Sequence, residues 1–309
     1  MKFKPSLLLL TLIFVMGVIL FYGCSSPPDS EVDIFLLNTE FFFDPLEPHG
    51  RVVGTSIEIP SEAEYRAEAK AIATLIDRYQ ADLVGLTEVE NRACVELVRS
   101  YLRRGNEWQV VFKKGRDTYT GQDVAVLSKF PVKESSITTF PDQRVTYIDR
   151  GESKSVRPSK ILGCELRIAS EPVYLVIAHL ISKRSNNDAK RLGQATVVRR
   201  QAIRALTNNQ NVIVIGDFND TPNTPVLRQL RGLSDEWADF VQTAESVPLE
   251  DRYTYIYQDN RYLIDHILIS PSLQDEFLNT PATDRCQIFD SDGLSDHRGM
   301  IVRLQFADF

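Results

Sequence analysis

The chain is expected to fold as an α/β protein, on three observations. Short apolar runs rich in β-branched residues recur along it, as at Val32–Asn38, Asp82–Glu88, Asp123–Ser128, Val173–His179 and Asn211–Ile215. Segments of helical period lie between them. Several of the runs end on a polar group: Asn38, Glu88, His179 and, just past Gly216, Asp217 and Asn219. One such ending is ordinary, but several suggest a shared mouth where strands of a rigid scaffold terminate. With 309 residues, 43% of them hydrophobic and 25% charged, the composition is that of a globular protein with ample core.

The stretch Asn211–Asp220, N-V-I-V-I-G-D-F-N-D, is the clearest case. Val212–Ile215 has the continuous apolar character of a strand buried on both faces. Gly216 lets the chain turn, and Asp217 and Asn219, two apart, aim their side chains the same way if the chain is extended. A carboxylate beside an amide suits orienting a water or an anionic oxygen. An Asx-rich turn through Thr221-Pro222 reads the same residues without function.

Taken in order, Val32–Asn38 is a strand, and Phe41–Phe43 with Asp44-Pro45 leaves it as an irregular loop. His49 falls in a Pro/Gly-rich stretch. Ser61 with Glu64 has capping-box spacing, and Ala69, Ile72, Leu75, Ile76 and Tyr79 repeat at helical period behind it. Asp82–Glu88 is the next strand. Asn91–Arg104 reads as a helix, Glu107–Lys113 and Asp123–Ser128 as strands, and Lys114–Gly121 as a polar loop. Ile161–Ile168 and Val173–His179 form a strand pair, followed by a basic helix over Asn186–Leu206. Arg252–Tyr257 and Tyr262–Ile269 read as a hairpin turned through Asp259-Asn260, with Asp265 and His266 on opposite faces. Ser295-Asp296-His297-Arg298 precedes a last strand, Met300–Phe306.

The N-terminus reads as an export signal. Lys2 and Lys4 precede the apolar run Leu7–Tyr22, and Gly23-Cys24 follows. A small residue before Cys24 resembles a bacterial lipoprotein signal with Cys24 lipidated, although Phe21 and Tyr22 are bulkier than that pattern prefers. An uncleaved membrane anchor is the alternative. Both place the rest of the chain outside the cytoplasm, on the periplasmic or cell-surface side. Residues 1–23 are thus a leader, 24–31 a short tether and 32–309 the folded domain.

Without the leader, which holds Lys2 and Lys4, 33 Lys and Arg face 42 Asp and Glu, a formal charge of −9. That excludes broad electrostatic capture of nucleic acid. Charge is uneven, however: Lys183, Arg184, Lys190, Arg191, Arg199, Arg200 and Arg204 lie within 22 residues opposed only by Asp188. The run is either a phosphate-facing patch or the solvated face of a helix. Cys94, Cys164 and Cys286 have no metal-binding spacing and read as small buried hydrophobes.

Seven short stretches, in this order, carry a family resemblance: Leu37-Asn38, Leu86-Thr87-Glu88-Val89, Val124–Lys129, Ala178-His179-Leu180, Gly216-Asp217-Phe218-Asn219, Leu263–Ile267 and Ser295-Asp296-His297. The set resembles the endonuclease/exonuclease/phosphatase superfamily, that of pancreatic deoxyribonuclease, apurinic endonucleases, sphingomyelinases and inositol-polyphosphate 5-phosphatases, over about residues 32 to 307. The resemblance implies a four-layer α/β/β/α sandwich, two packed mixed β-sheets flanked by helices, with the site at one edge. It implies that Glu88, with Asn38 and Asp296 nearby, holds Mg²⁺ or Mn²⁺. His297 would be general base or phosphate contact, with Asp265 orienting its ring. Asp217 and Asn219 would orient the attacking water and a phosphate oxygen, and His179 would stabilise the transition state or protonate the leaving group. Members differ over whether the aspartate or the histidine takes the proton.

The resemblance favours a metal-dependent phosphodiesterase acting on nucleic acid, monomeric, membrane-anchored through Cys24, with Lys183, Arg184 and Arg191 contacting phosphate. A histidine at His179 and an export signal argue against a dedicated DNA-repair enzyme. Thr87 and Glu90 replace a glutamine and an arginine of pancreatic deoxyribonuclease, which weakens the substrate assignment and leaves the chemistry standing. Phospholipid head groups or inositol phosphates are the alternative substrates, for which Phe41–Phe43 is a candidate aromatic loop. A non-catalytic binding module is the third possibility, disfavoured because no expected position is lost.

Overall fold

The structure, a computed structural model, describes residues 31–46, 59–117, 120–184, 187–233 and 239–306. The leader, Cys24, nearly all of the tether and His49 lie outside the described residues. Among the described residues no helix is long and apolar enough to cross a membrane.

The chain opens with β1 (Glu31–Phe42), crosses through α1 (Glu62–Arg78) into β2 (Leu83–Val89), and passes α2 (Arg92–Tyr101) to β3 (Gln109–Val111) and β4 (Asp123–Ser128). A hairpin of β5 (Val145–Asp149) and β6 (Glu152–Val156) leads to β7 (Ile161–Ile168) and β8 (Glu171–His179). Helix α3 (Asp188–Thr207) precedes β9 (Asn211–Asp217), α4 (Pro225–Arg231) and β10 (Val241–Gln242). The order closes with β11 (Tyr255–Tyr257), β12 (Asn260–Tyr262), β13 (Asp265–Ile269), α5 (Gln274–Asn279), β14 (Cys286–Phe289) and β15 (Gly299–Gln305).

The strands make a six-stranded sheet, β14-β15-β1-β2-β4-β3, and a five-stranded sheet, β10-β13-β9-β8-β7. Each contains one parallel pair joined by a helical crossover, β1–β2 through α1 and β8–β9 through α3, with antiparallel neighbours. The strand period of two sorts side chains into layers. Ile34 and Leu36 of β1 join Ile177, Ile213 and Ile215 in the core between the sheets. Phe35 and Leu37 face the other way, onto Ile72 and Leu75 of α1. On the far side Val212 and Val214 meet Val198 and Ala202 of α3. The result is the expected four-layer α/β/β/α sandwich.

Two glycines mark close approaches. A Cβ on Gly85 would lie 2.5 Å from Ile215 Cδ1 and 3.1 Å from Ile177 Cδ1, so the sheets meet there without room for a side chain. Gly216 has φ of +142°, and a Cβ would fall 1.8 Å from the Ala178 carbonyl oxygen. The capping box also forms: Ser61 Oγ accepts from the Glu64 N–H and Glu64 Oε2 accepts from the Ser61 N–H.

Several expectations need correction. The Phe41–Phe43 stretch is no loose aromatic loop. β1 continues through it past a register shift between Asn38 and Phe42, made by positive φ at Glu40 and Phe41. Phe42 and Phe43 are buried and Phe41 alone is exposed. The hairpin through Asp259-Asn260 is only β11 with β12; β13 is a separate strand that pairs with β9. The basic helix begins at Asp188, with Arg191 and Arg199 buried rather than on a solvated face. Cys94, Cys164 and Cys286 are buried free thiols, as expected of small hydrophobes.

Candidate active site

The two parallel strand pairs place their carboxyl ends at one edge of the sandwich, where α/β folds gather ligand-binding groups. Asn38 and Glu88 arrive from β1 and β2, and His179 and Asp217 from β8 and β9, in register opposite each other. β13 runs antiparallel to β9, so Asp265 at its start lies opposite Asp217. His297, just before β15, closes the group. Glu88 and Asn219 both adopt positive φ, 65° and 50°, a strain that clusters at functional positions.

Asn38 Nδ2 donates to Glu88 Oε1 at 3.3 Å and to Asp217 Oδ2 at 3.1 Å, drawing together carboxylates from different sheets. His179 Nε2 lies 3.7 Å from that Glu88 oxygen and 3.6 Å from that Asp217 oxygen. Asn219 Nδ2 donates to Asp217 Oδ2 at 3.2 Å and to the Leu180 carbonyl at 3.0 Å, and its N–H holds Asp217 Oδ1 at 2.8 Å. His297 Nδ1 and Asp265 Oδ2 are 2.7 Å apart. The Tyr255 ring packs on His297 with centroids 4.9 Å apart.

The electrostatics follow from burial. Burial pushes the Glu88 carboxyl up, against the pull of Lys160 and the Asn38 hydrogen bond. Asp217 is pushed up to about 8 by burial and by the Asp265 charge. His179 is held well below its ordinary value by burial and by the nearby Lys160 and His297 charges, so it is neutral at pH 7. Burial opposes a charge on His297, but Asp265, Asp217 and Asp296 outweigh it and raise it to about 10.

Ligand atoms of Glu88, His179 and Asp217 lie within 4.8 Å of one another, as do those of Asp217, Asp265 and His297. Buried oxygen donors that repel one another fit a hard divalent cation such as Mg²⁺ or Mn²⁺. Asp265 Oδ1 is buried without a hydrogen-bond partner, a further uncompensated acceptor on a residue of this cluster.

Other expected residues fall elsewhere. Asp296 stands on the half-exposed rim, its N–H on Glu40 Oε2 and its carboxylate 3.8 Å from His297 Nε2, and its charge acts on Glu88. Arg191 does not face phosphate: it is buried, with Nη2 on Asp188 and Nε 3.1 Å from Asp220 Oδ2. Lys183 Nζ is half exposed and lies 2.7 Å from Asp220 Oδ1. Arg184 is exposed, and its charge acts on Tyr255 at the rim. His266 is structural, with Nε2 2.9 Å from the Asp220 carbonyl oxygen.

Sequence reasoning missed Gln122 and Lys160. Gln122 Nε2 donates to Glu88 Oε2 at 2.5 Å, and Lys160 Nζ donates to Gln122 Oε1 at 2.8 Å. The signal lay in strand direction. Gln122 and Lys160 precede β4 and β7, which run antiparallel to β2 and β8, so their starts lie beside the Glu88 and His179 ends. Residues before an antiparallel strand share the mouth with those after its neighbour.

A model described as the Endonuclease/Exonuclease/phosphatase family matches residues 37–297. Solved structures show the same fold at low identity. Truncated Caenorhabditis elegans TDP2 is 14% identical with a TM-score of 0.58, covering 90% of this chain and 98% of that one. The human Nocturnin catalytic domain with bound sulfate anion is 14% identical with a TM-score of 0.55, covering 91% and 96%. D. rerio TDP2 complexed with single strand DNA product is 15% identical with a TM-score of 0.54, covering 89% and 99%. No curated protein matches the chain.

Proposed function

The chain belongs to the Endonuclease/Exonuclease/phosphatase family of phosphoester hydrolases, and from that premise we propose that it is a divalent-metal-dependent phosphodiesterase, a nuclease acting outside the cytoplasm. One observation carries the reading: Glu88 and Asp217, from different sheets, meet on the Asn38 amide beside His179, with the His297–Asp265 pair adjoining.

Glu88 and Asp217 would hold Mg²⁺ or Mn²⁺, with Asn38 and Asp296 nearby. When bound, the metal neutralises charge on the attacked phosphate. Asp217 would take the proton of the attacking water that Asn219 helps to orient. His297, kept charged by Asp265, donates from Nε2 to a phosphoryl oxygen. Neutral His179 would donate from Nε2 to the leaving oxygen without adding charge, and that oxygen takes its proton from solvent as the P–O bond breaks. Exposed Arg184 and half-exposed Lys183 would meet flanking phosphates; the DNA product bound to D. rerio TDP2 supports nucleic acid as the substrate by analogy. The apolar run Leu7–Tyr22 before Cys24 supports export and lipid anchoring.

A second reading takes phospholipid head groups or inositol phosphates through the same site. Exposed Leu249, Ile256 and Tyr257 on and beside the β11–β12 hairpin favour it. The test is hydrolysis of plasmid DNA, RNA, sphingomyelin and inositol phosphates by the purified protein, with Mg²⁺, Mn²⁺ or chelator, and with His297→Ala as control. Metal-dependent cleavage of nucleic acid that is lost in the variant supports the nuclease. Cleavage of the lipid or inositol substrates alone overturns the substrate and keeps the chemistry. Turnover of none of them overturns the hydrolase reading.

A further inference from the structure

We infer that Thr254 is the residue that positions the Asp265–His297 pair. Its effect on turnover rests on the hydrolase reading above; its effect on the pair's geometry does not.

Thr254 is completely buried immediately before β11, with its hydroxyl against the break between β12 and β13. Each of its polar groups ties a different segment. Its N–H donates to the Tyr262 carbonyl at 2.9 Å. Its hydroxyl oxygen accepts from the N–H of Ile264 and of Asp265, both at 3.1 Å. Its carbonyl accepts from the N–H of Arg298 at 2.7 Å. The adjoining residue, Tyr255, bridges to His297 through the backbone. One residue therefore holds the main chain beside both members of the pair, Asp265 through the hydroxyl and His297 through its neighbour.

This matters because little else fixes Asp265. Its Oδ2 meets His297, while Oδ1 is buried without a hydrogen-bond partner. The direction of the carboxylate is thus set by where the backbone carries its Cα; there the Ile264 carbonyl accepts from the Phe218 N–H at 2.9 Å, while the N–H groups of Ile264 and Asp265 turn to Thr254. Two adjacent N–H groups there need an acceptor with two lone pairs, which a hydroxyl supplies and a methyl of the same shape does not. Asp265 also stands opposite Asp217 in the sheet, but Asp217 is held separately by Asn38 and Asn219. The Arg298 guanidinium, donating to the Tyr253 carbonyl at 3.1 Å, reinforces the same junction.

The experiment compares Thr254→Val, which keeps shape and loses the acceptor, with Thr254→Ser, which keeps the acceptor and loses a methyl. Three quantities are read in the purified protein: kcat and KM for the best phosphodiester substrate, the Kd for Mn²⁺, and the NMR resonance of the His297 Nδ1 proton without metal. The clamp predicts that Thr254→Val lowers kcat on the order of 100-fold, as displacement of a reacting group by about 1 Å does. KM and the Mn²⁺ Kd stay within about twofold, because Glu88 is held by Asn38 and Gln122. The Nδ1 resonance moves upfield or is lost, and Thr254→Ser restores both kcat and resonance. Should Thr254→Val fail to fold, Thr254→Ala, which leaves space for a water, carries the comparison. An unchanged resonance in a folded Val or Ala variant overturns the inference. So does an equal loss in Thr254→Ser, which would assign the effect to packing of the methyl. If wild type hydrolyses nothing, the hydrolase reading fails and the resonance still decides the clamp.

Discussion

Asp265 Oδ2 and His297 Nδ1 stand 2.7 Å apart although 32 residues separate them in the chain. The pair forms because β13 begins with its carboxylate at the mouth while the segment before β15 folds across the same edge. Buried carboxylate–imidazole contacts fix both ring orientation and charge. Asp265→Asn keeps the shape and removes the charge, so His297 loses its largest stabilising partner. Its kcat should fall on the order of 100-fold with KM little changed. A variant with wild-type kcat in single-turnover assays would exclude the pair from the reaction.

Divalent metal should stabilise the protein as well as activate it. Glu88 and Asp217 repel each other at the mouth, and a cation between them relieves that repulsion. At 100 times its Kd, Mg²⁺ or Mn²⁺ should add about 2.7 kcal/mol. Glu88→Gln should abolish most of that gain. Thermal unfolding with metal and with chelator checks this, and superimposable curves for wild type would argue against a metal centre.

The pH dependence has a definite sign. The Asp217 carboxyl, ordinarily near 3.8, is raised to about 8 in the fold. A raised acid binds its proton more tightly when folded, so it destabilises progressively as pH rises from about 4 to about 8, and constantly above. In metal-free protein Asp217→Asn should therefore raise Tm at pH 8 and change it little at pH 4. Equal Tm differences at both pH values would refute the assignment.

Arg191 and Arg184 should behave differently. Arg191 is buried against Asp220, and Arg191→Met leaves that carboxylate with half-exposed Lys183 as its remaining ion pair. Its loss should cost about 3–5 kcal/mol in denaturant unfolding. Arg184→Ala, at an exposed residue, should leave stability within about 0.5 kcal/mol. It should raise KM for polynucleotide and flatten the salt dependence. Swapped outcomes would mean that the basic segment meets substrate through its helix.

Gly85→Ala tests the spacing of the sheets. Its Cβ would press on Ile215 and Ile177, at a cost of about 1–3 kcal/mol. Denaturant unfolding measures it, and an unchanged midpoint would show that the sheets separate freely there.

The part of the site legible in the sequence was the part written in burial. A strand buried on both faces reads as an unbroken apolar run, and its polar terminus then stands out, which is why Asn38, Glu88, His179 and Asp217 were found. The β5–β6 hairpin was missed because V-T-Y-I-D and E-S-K-S-V are largely exposed and carry no such contrast. The break between β12 and β13 was missed because Tyr262–Ile269 is apolar almost throughout; it is imposed by where Thr254 captures the chain, a tertiary cause. Arg191 looked solvated because helical charge spacing does not report which turn packs over Asp220. Gln122 and Lys160 become legible only once strand direction is known.

The first and last described strands are partners: Glu31 pairs with Gln305 and Leu36 with Met300 along β1 and β15. This closure has a consequence for timing during synthesis. A chain emerging from the ribosome can complete the second sheet, with His179, Asp217 and Asp265, before His297 and the strand that seats β1 exist. Truncated and nascent chains that stop at β14 therefore lack His297 and the strand partner of β1, so the proposed centre is assembled late, once the segment after β14 has emerged.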